Sequence, residues 1–427
     1  MAGKQLKSLR EKLGLSQQEL AGPEITRNLI SMIENEKTPL TPRTAELLTR
    51  QINDRFKGRQ SFVQLTAEDL TDPARYQARQ EIHALLDTIA EYRREPHFTL
   101  GTYLSRLAGL FSQWDLPTEK TDAYSLVASC FEETGRNQEA HLYYSRAYEN
   151  AARTEDCSRL AQVTLCLTRT ALKLGHTYSA ILAADALRSY EGRIDDRLLL
   201  EVFLDQADAY MTEADYDNAL GSLIFSEHLI PEGSPYWSAR VLTLKLDCYI
   251  SKGMYGIASR IFSALEPLLA DLEGAHQESL RITLTCLQGR MSPGGLDPLI
   301  LQELWQRFAQ APSALPRYET LFLQLMEAAA SVLDLDLFQE ISWRALTDIP
   351  PQMHPMLSRS CLTLMLRVWR SSPKAGFAPH WRYILRSEPL RAIPGYGDLV
   401  LGYLAFMDEA GLQDLMRECL SLQRSNA

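Results

Sequence analysis

Four stretches of this 427-residue chain align without a gap: ETGRNQEA ending at Ala140, KLGHTYSA ending at Ala180, TEADYDNA ending at Ala219 and SKGMYGIA ending at Ala258. The intervals are 40, 39 and 39 residues. Five residues before each alanine stands a small residue, Gly135, Gly175, Ala214 or Gly253. Nine before it stand Phe131, Ala171, Tyr210 and Tyr249, and four after it Tyr144, Ala184, Leu223 and Phe262. The small residue permits a tight turn between antiparallel helices, and the alanine lets the second helix approach the first closely. The bulky positions fill the gap to the next hairpin. One such hairpin cannot bury its apolar face alone, so the repeat commits the chain to a stack of helical hairpins.

Helical periodicity extends from Ala74 onward, and the repeat fades after Gly274. Breaks at Ser292-Pro293-Gly294-Gly295, Pro312–Pro316, Pro350-Pro351 and Pro373–Pro379 still separate helical stretches, so degenerate hairpins are expected to the end. Ahead of the array, Lys57-Gly58-Arg59-Gln60-Ser61 reads as a joint. Thr66 with Asp69 can cap a short helix, and Asp72-Pro73 resets the chain. The expected division is residues 1–60 as a first domain, 61–73 as a linker helix and 74–427 as the repeat domain.

The first 60 residues have a different character. A helix is expected over about Lys4–Lys12, with Leu6, Leu9 and Leu13 as its stripe and Gly14 to end it. Ser16 and Glu19 form a capping box before a short helix Gln17–Ala21, which Gly22-Pro23 breaks. Thr26 caps a helix running from Arg27 to about Asn35, whose Leu29, Ile30 and Ile33 turn inward while Arg27, Asn28 and Ser31 turn out. Thr41-Pro42 opens a last helix carrying Leu47, Leu48, Ile52 and Phe56 inward.

The runs LKSLREKLGLSQQELA and ITRNLISMIENEK resemble the Xre/lambda-repressor/Cro class of helix-turn-helix domains. The resemblance makes the helix beginning at Arg27 the DNA-reading helix. It implies base or phosphate contacts from Arg27, Asn28 and Ser31, and backbone contacts from Gln17 and Gln18; Thr26, Met32, Lys37 and Arg43 complete the candidate DNA-binding residues. The chemistry agrees, since Arg pairs bidentately with guanine and Asn with adenine. Met32 stands where a polar residue is frequent in that class, and Glu36 where Gly is frequent. Charge separates this reading from a small helical bundle without a nucleic-acid role. Residues 1–60 hold 11 Lys+Arg against 7 Asp+Glu, and the remainder 33 against 47. A positive module on an acidic chain suits phosphate attraction.

Other classes find little support. No apolar run approaches the ~18 residues of a transmembrane helix, and no secretory pattern opens the chain, so a cytoplasmic protein without membrane attachment is expected. The seven cysteines include no CxxC pair, and no HExxH, phosphate-binding loop or nucleophile elbow is present. Neither a metal, a cofactor nor catalysis is expected.

The array resembles tetratricopeptide repeats, whose standard period is 34 residues. The copy Thr121–Thr154 carries Tyr124, Ala128, Phe131, Ala140, Tyr144 and Ala147 at family positions. The expected fold is all-α, a lambda-repressor-like helix-turn-helix domain followed by a tetratricopeptide-like α-solenoid. The first helix of each hairpin faces the concave side, which suits an extended peptide. Alignment makes Ser129, Arg169, Asp208, Asp247 and Thr243 the candidate peptide-binding residues. The combination of head and array resembles the peptide-pheromone-responsive (Rap/Rgg/NprR/PlcR/PrgX) family of Gram-positive bacteria. That resemblance implies a homodimeric transcriptional regulator on operator DNA, gated by a short signalling peptide in quorum sensing. The alternatives are a regulator whose array docks a protein partner and, third, an array acting on a response-regulator relay.

Overall fold

Capping residues divide the chain into its elements. The structure is a computed structural model that describes residues 2–57, 63–95, 99–292, 294–310, 312–315, 317–372 and 378–424. The described residues contain helices and no strand. Gly58–Ser61 of the expected joint, Pro293, Pro316 and residues 373–377 lie outside them. Two compact units, residues 1–126 and 127–427, divide the chain.

The first unit holds α1 (Ala2–Lys12), α2 (Arg27–Glu34), α3 (Pro42–Phe56), α4 (Ala67–Thr71), α5 (Pro73–Tyr92), α6 (Leu100–Gln113) and most of α7 (Pro117–Glu133). The Thr26 hydroxyl accepts from Leu29 N–H at 3.3 Å, and Thr41 from Thr44 N–H at 3.3 Å with Pro42 in the first turn, as the sequence leads one to expect. Gly14, at φ +69°, ends α1 through bonds from Gly14 N–H to Glu11 and from Leu15 N–H to Arg10. At Gly3 a Cβ would stand 1.8 Å from the Ile33 carbonyl oxygen, so α1 and α2 meet where only hydrogen fits.

The short helix expected over Gln17–Ala21 does not form. Residues 17–19 are a turn, although the capping box is made: Ser16 N–H donates to Glu19 Oε2 at 2.7 Å, and Glu19 N–H to Ser16 Oγ at 3.2 Å. Leu20 N–H reaches Ser16, but Ala21 N–H already turns to Gln18 and Gly22 N–H to Ile25. Pro23 supplies no N–H, so propagation stops before a second turn can offset nucleation.

Residues 63–73 do more than link. Val63, Leu65 and Leu70, with Tyr76 of α5, join Leu6, Ile30, Leu48 and Ile52 in one core. Asn53 clamps the segment, donating to the Leu65 carbonyl and accepting from Leu65 N–H, each at 2.9 Å. The expected Thr66/Asp69 capping box is present on α4. The Asp69 carboxylate is fully buried and holds Arg75 at 2.5 Å and also Arg79, whose Nε donates to Glu119 at 2.5 Å.

The second unit continues with α8 (Asn137–Ala151), α9 (Cys157–Leu174), α10 (Thr177–Asp185), α11 (Asp196–Thr212), α12 (Tyr216–His228), α13 (Pro235–Ser251), α14 (Tyr255–Ala270), α15 (Gly274–Met291) and α16 (Pro298–Gln310). It ends with α17 (Tyr318–Ser331), α18 (Leu335–Asp348), α19 (Pro355–Ser371), α20 (Ala378–Arg386), α21 (Glu388–Arg391), α22 (Tyr396–Glu409) and α23 (Gln413–Arg424). It is an all-α solenoid of antiparallel hairpins. Gly135, Gly175, Ala214 and Gly253 all have left-handed φ, between +57° and +75°. In each loop the following N–H bonds to the carbonyl five residues earlier, of Phe131, Ala171, Tyr210 and Tyr249, at 2.8–2.9 Å. This is the Schellman closure of a helix C-terminus. Ala140, Ala180, Ala219 and Ala258 are completely buried.

The repeat also outlives its sequence signal. Leu333, at φ +56°, and Gly411, at φ +70°, close α17 and α22 with the same bonds, Asp334 N–H to Ala329 and Leu412 N–H to Met407. The helices α9, α11, α13, α15, α17 and α19 pack in succession, and α19 returns to pack on α9.

Candidate nucleic-acid interface and inner face

In the first domain, apolar spacing turns Ile30 and Ile33 of α2 into the core and leaves the opposite side outward. Arg27 and Asn28 are exposed at its first turn, Ser31 is half-buried and Met32 is 44% exposed. Thr26, also exposed, caps the same end, so the unpaired N–H groups and positive dipole of that helix end point outward with them. Lys37 and Arg43 are exposed on either side of the turn into α3. Gln18 is exposed. Gln17 is half-buried and spends its side-chain amide on Glu34 Oε2 at 2.7 Å. Ser31 also has a local partner, receiving Asn35 Nδ2 at its carbonyl at 2.8 Å.

What the sequence reading missed is how α2 is held. Glu34 follows Ile33 into the core, where its side chain is 1% exposed. Arg10 of α1 meets it with Nε to Oε1 at 2.6 Å and Nη2 to Oε2 at 3.1 Å, while Nη1 donates to the Leu15 carbonyl at 2.6 Å. The Glu34 carboxylate holds the Arg10 guanidinium above its ordinary pKa. One bidentate pair therefore joins α1, the turn and α2. The available signal was spacing: Arg10 lies four residues after Leu6, and Glu34 four after Ile30, so both occupy apolar-face positions. At the far end of α2, Glu36 takes a left-handed φ of +58°, and Lys37 N–H closes on the Met32 carbonyl at 2.9 Å. This is the position where the family resemblance favours Gly.

In the array, the candidates Arg169, Asp208 and Asp247 enter ion pairs with neighbouring helices, and Ser129 stands on α7. Arg169 bridges Glu201 at 2.7 Å and Asp205 at 3.0 Å. Asp208 receives Arg317 at 3.4 Å, and Asp247 receives Arg290 at 2.6 Å. The Thr243 hydroxyl donates to the Ala239 carbonyl at 2.7 Å and its side chain lines a small cavity. A larger cavity of about 750 Å³ is lined by Asp247, Ser251, Arg290, Gln324, Glu327 and Arg367, among others. Burial raises the Glu327 carboxyl pKa, against the pull of Arg290 and Arg367. Sequence alignment of the first helices did not reach Arg240, Arg290, Arg317, Glu327 or Arg367, because four of these lie beyond the recognisable repeats and none occupies the aligned columns.

Among the described residues no cluster of His, Cys, Asp and Glu could hold a metal ion, and no helix is long and apolar enough to cross a membrane. The helix-turn-helix family model matches residues 6–53. That stretch contains most of α1, the turn, α2 and most of α3, so this part of the chain is a helix-turn-helix of the kind found in DNA-binding transcription regulators. None of the curated proteins compared with the chain matches it.

Proposed function

We propose that this protein is a sequence-specific transcriptional regulator in which α2 reads operator DNA and the array receives the signal. One observation carries the first half: Arg27 and Asn28 stand exposed at the capped N-terminus of α2, and the exposed cations Lys37 and Arg43 follow on either side of the turn into α3. Arg27 and Asn28 supply base contacts in the major groove, and Thr26, Gln18, Lys37 and Arg43 supply phosphate contacts. Met32 supplies an apolar contact, such as a thymine methyl. Gln17 acts by steadying Glu34.

For the array we propose a tetratricopeptide-like groove that binds a short linear peptide along Arg169, Asp208, Asp247 and Thr243, with Ser129 at its N-terminal end. Support comes from the cavity lined by Asp247, Arg290, Glu327 and Arg367, and from the further pair Arg169–Asp205; alternating charges of this kind match the polar groups of an extended backbone. A peptide gates DNA binding only through its difference in affinity for two dimer shapes. The test is a synthetic peptide from a short open reading frame adjacent to this gene, titrated against a protein–operator complex. A change in operator affinity supports peptide gating, and no change for any such peptide removes it.

A second reading, a docked protein partner or second copy, is favoured by apolar side chains on the outer helices. Tyr178 is 72% exposed, Leu182 52%, Ile224 51% and Tyr255 51%. A stoichiometric cytosolic protein in a pull-down, without a peptide effect, supports that reading.

A further inference from the structure

A second, smaller cavity in the array has a chemistry of its own. It has a volume of about 140 Å³ and lies between α13, α15 and α17. Two arginines, Arg240 and Arg317, line it, and no Asp or Glu does among the described residues. Leu244, Leu272, Leu280 and Leu321 supply apolar lining to the same cavity.

The arginines are poorly matched by their own protein. Elsewhere on the inner face the pairs are tight, as in Arg290–Asp247 at 2.6 Å. Arg240 stands 3.9 Å from Asp205, and Arg317 stands 3.9 Å from Asp205 and 3.4 Å from Asp208. Asp205 is also committed to Arg169 at 3.0 Å. The Nε of Arg240 is buried with no hydrogen-bond partner, and so is Oε1 of Gln324, which lines the same cavity. Arg317 adopts a left-handed φ of +54°, a conformation that side chains other than Gly and Asn rarely take. Backbone strain of this kind collects at binding sites.

These features specify a ligand. Guanidinium forks recognise carboxylates, and an unpaired buried donor is satisfied by an anionic acceptor. The orphan Gln324 oxygen asks for a hydroxyl or N–H beside that carboxylate. The leucines ask for a short aliphatic body. A dry cavity of ~150 Å³ holds a benzene-sized molecule, so the ligand has roughly six to ten non-hydrogen atoms. We infer that this cavity binds a small aliphatic carboxylate with a hydrogen-bond donor next to its carboxyl group, held by Arg240, Arg317 and Gln324. The inference rests on the reading of the array as the ligand-binding half, but not on any effect upon DNA. The carboxylate comes either from a free small acid or from the C-terminal residue of a peptide.

Calorimetric titration of the full-length protein separates the cases. The probes are 2-hydroxy-4-methylpentanoate, its carboxamide, 4-methylpentanoate, and acetyl-Gly-Gly-Leu with a free or an amidated C-terminus. The free acid is expected to bind about tenfold more tightly than its carboxamide, and R240Q and R317Q each to weaken it about tenfold. Q324L, which changes no charge, is expected to erase the preference for the 2-hydroxy acid while leaving 4-methylpentanoate binding intact. Tighter binding of the free-acid tripeptide identifies a chain end, and tighter binding of the small acid identifies a metabolite; both support the site. If the small acid binds while operator affinity stays constant, the site stands and that acid is not the gating ligand. Equal affinity for acid and carboxamide overturns the inference. So does an absence of binding by either free acid at millimolar concentration to folded protein.

Discussion

Arg10 and Glu34 face each other across α1 and α2 as a bidentate pair, Nε to Oε1 at 2.6 Å and Nη2 to Oε2 at 3.1 Å, with the Glu34 side chain 1% exposed. Removing one partner leaves the other charge buried without its counterion, at about 3–5 kcal/mol. Glu34→Ala should therefore loosen α2 itself, raising hydrogen exchange across α1 and α2. The double change Arg10→Met with Glu34→Leu should recover most of that loss, since an apolar pair of similar volume leaves no charge uncompensated. Full protection in Glu34→Ala would show that the core alone positions α2.

Lys37 and Arg43 are exposed cations flanking the end of α2 and the start of α3. As phosphate contacts they carry no sequence information. Lys37→Ala and Arg43→Ala should weaken operator and random duplex alike. Each should reduce the slope of log affinity against log salt by about 1. A loss confined to the operator would reassign them to base contact.

Asp69 is the hub that fixes α4 to α5, holding Arg75 and Arg79 while also accepting from Thr66 N–H at 2.8 Å. Asp69→Ala removes the cap and strips two partly buried guanidiniums of a partner, an expected loss of about 3–5 kcal/mol. Exchange protection should fall first in α4 and the first turns of α5, while the helices of the second unit keep theirs. Uniform loss across both units would contradict a local role.

His380 is buried, its Nε2 lies 3.0 Å from the Gln339 carbonyl, and its ring meets Trp343 edge-on with centroids 5.2 Å apart. Burial lowers its pKa below the ordinary histidine value, against the pull of the Gln339 carbonyl. The unfolded chain therefore takes up this proton first as pH falls. The contribution is complete above a pH of about 6.5 and is lost as pH drops toward the folded value. His141 and His354 shift in the same direction through burial, so the wild type should lose melting temperature on acidification. His380→Gln should show a shallower decline between neutral and mildly acidic pH, and an equal decline would remove His380 from the account.

Local signals made much of this protein legible. Thr26, Thr41 and Asp72 announced helix starts, and Gly135, Gly175 and Gly253 announced hairpin turns, because caps and left-handed turns depend on the residue itself. Ala214 was found by register alone. Leu333 was not, since Leu rarely takes a positive φ and Phe338 stands where the earlier repeats have Ala. The turn at Gln17–Glu19 misled because its capping box is made without a helix to follow. Arg10–Glu34, Asp69–Arg79 and Arg317–Asp208 span 24, 10 and 109 residues, and only the folded chain brings such partners together.

The most direct test of the central claim is selection of bound sequences from a pool of random duplexes, with wild-type protein and Arg27→Ala in parallel. The account predicts that the wild type enriches one motif. In the variant the motif should persist with one base-pair position relaxed, and affinity for the wild-type motif should fall by about 1–3 kcal/mol. Enrichment of an identical motif with unchanged affinity by Arg27→Ala would show that α2 does not read DNA through its N-terminal turn.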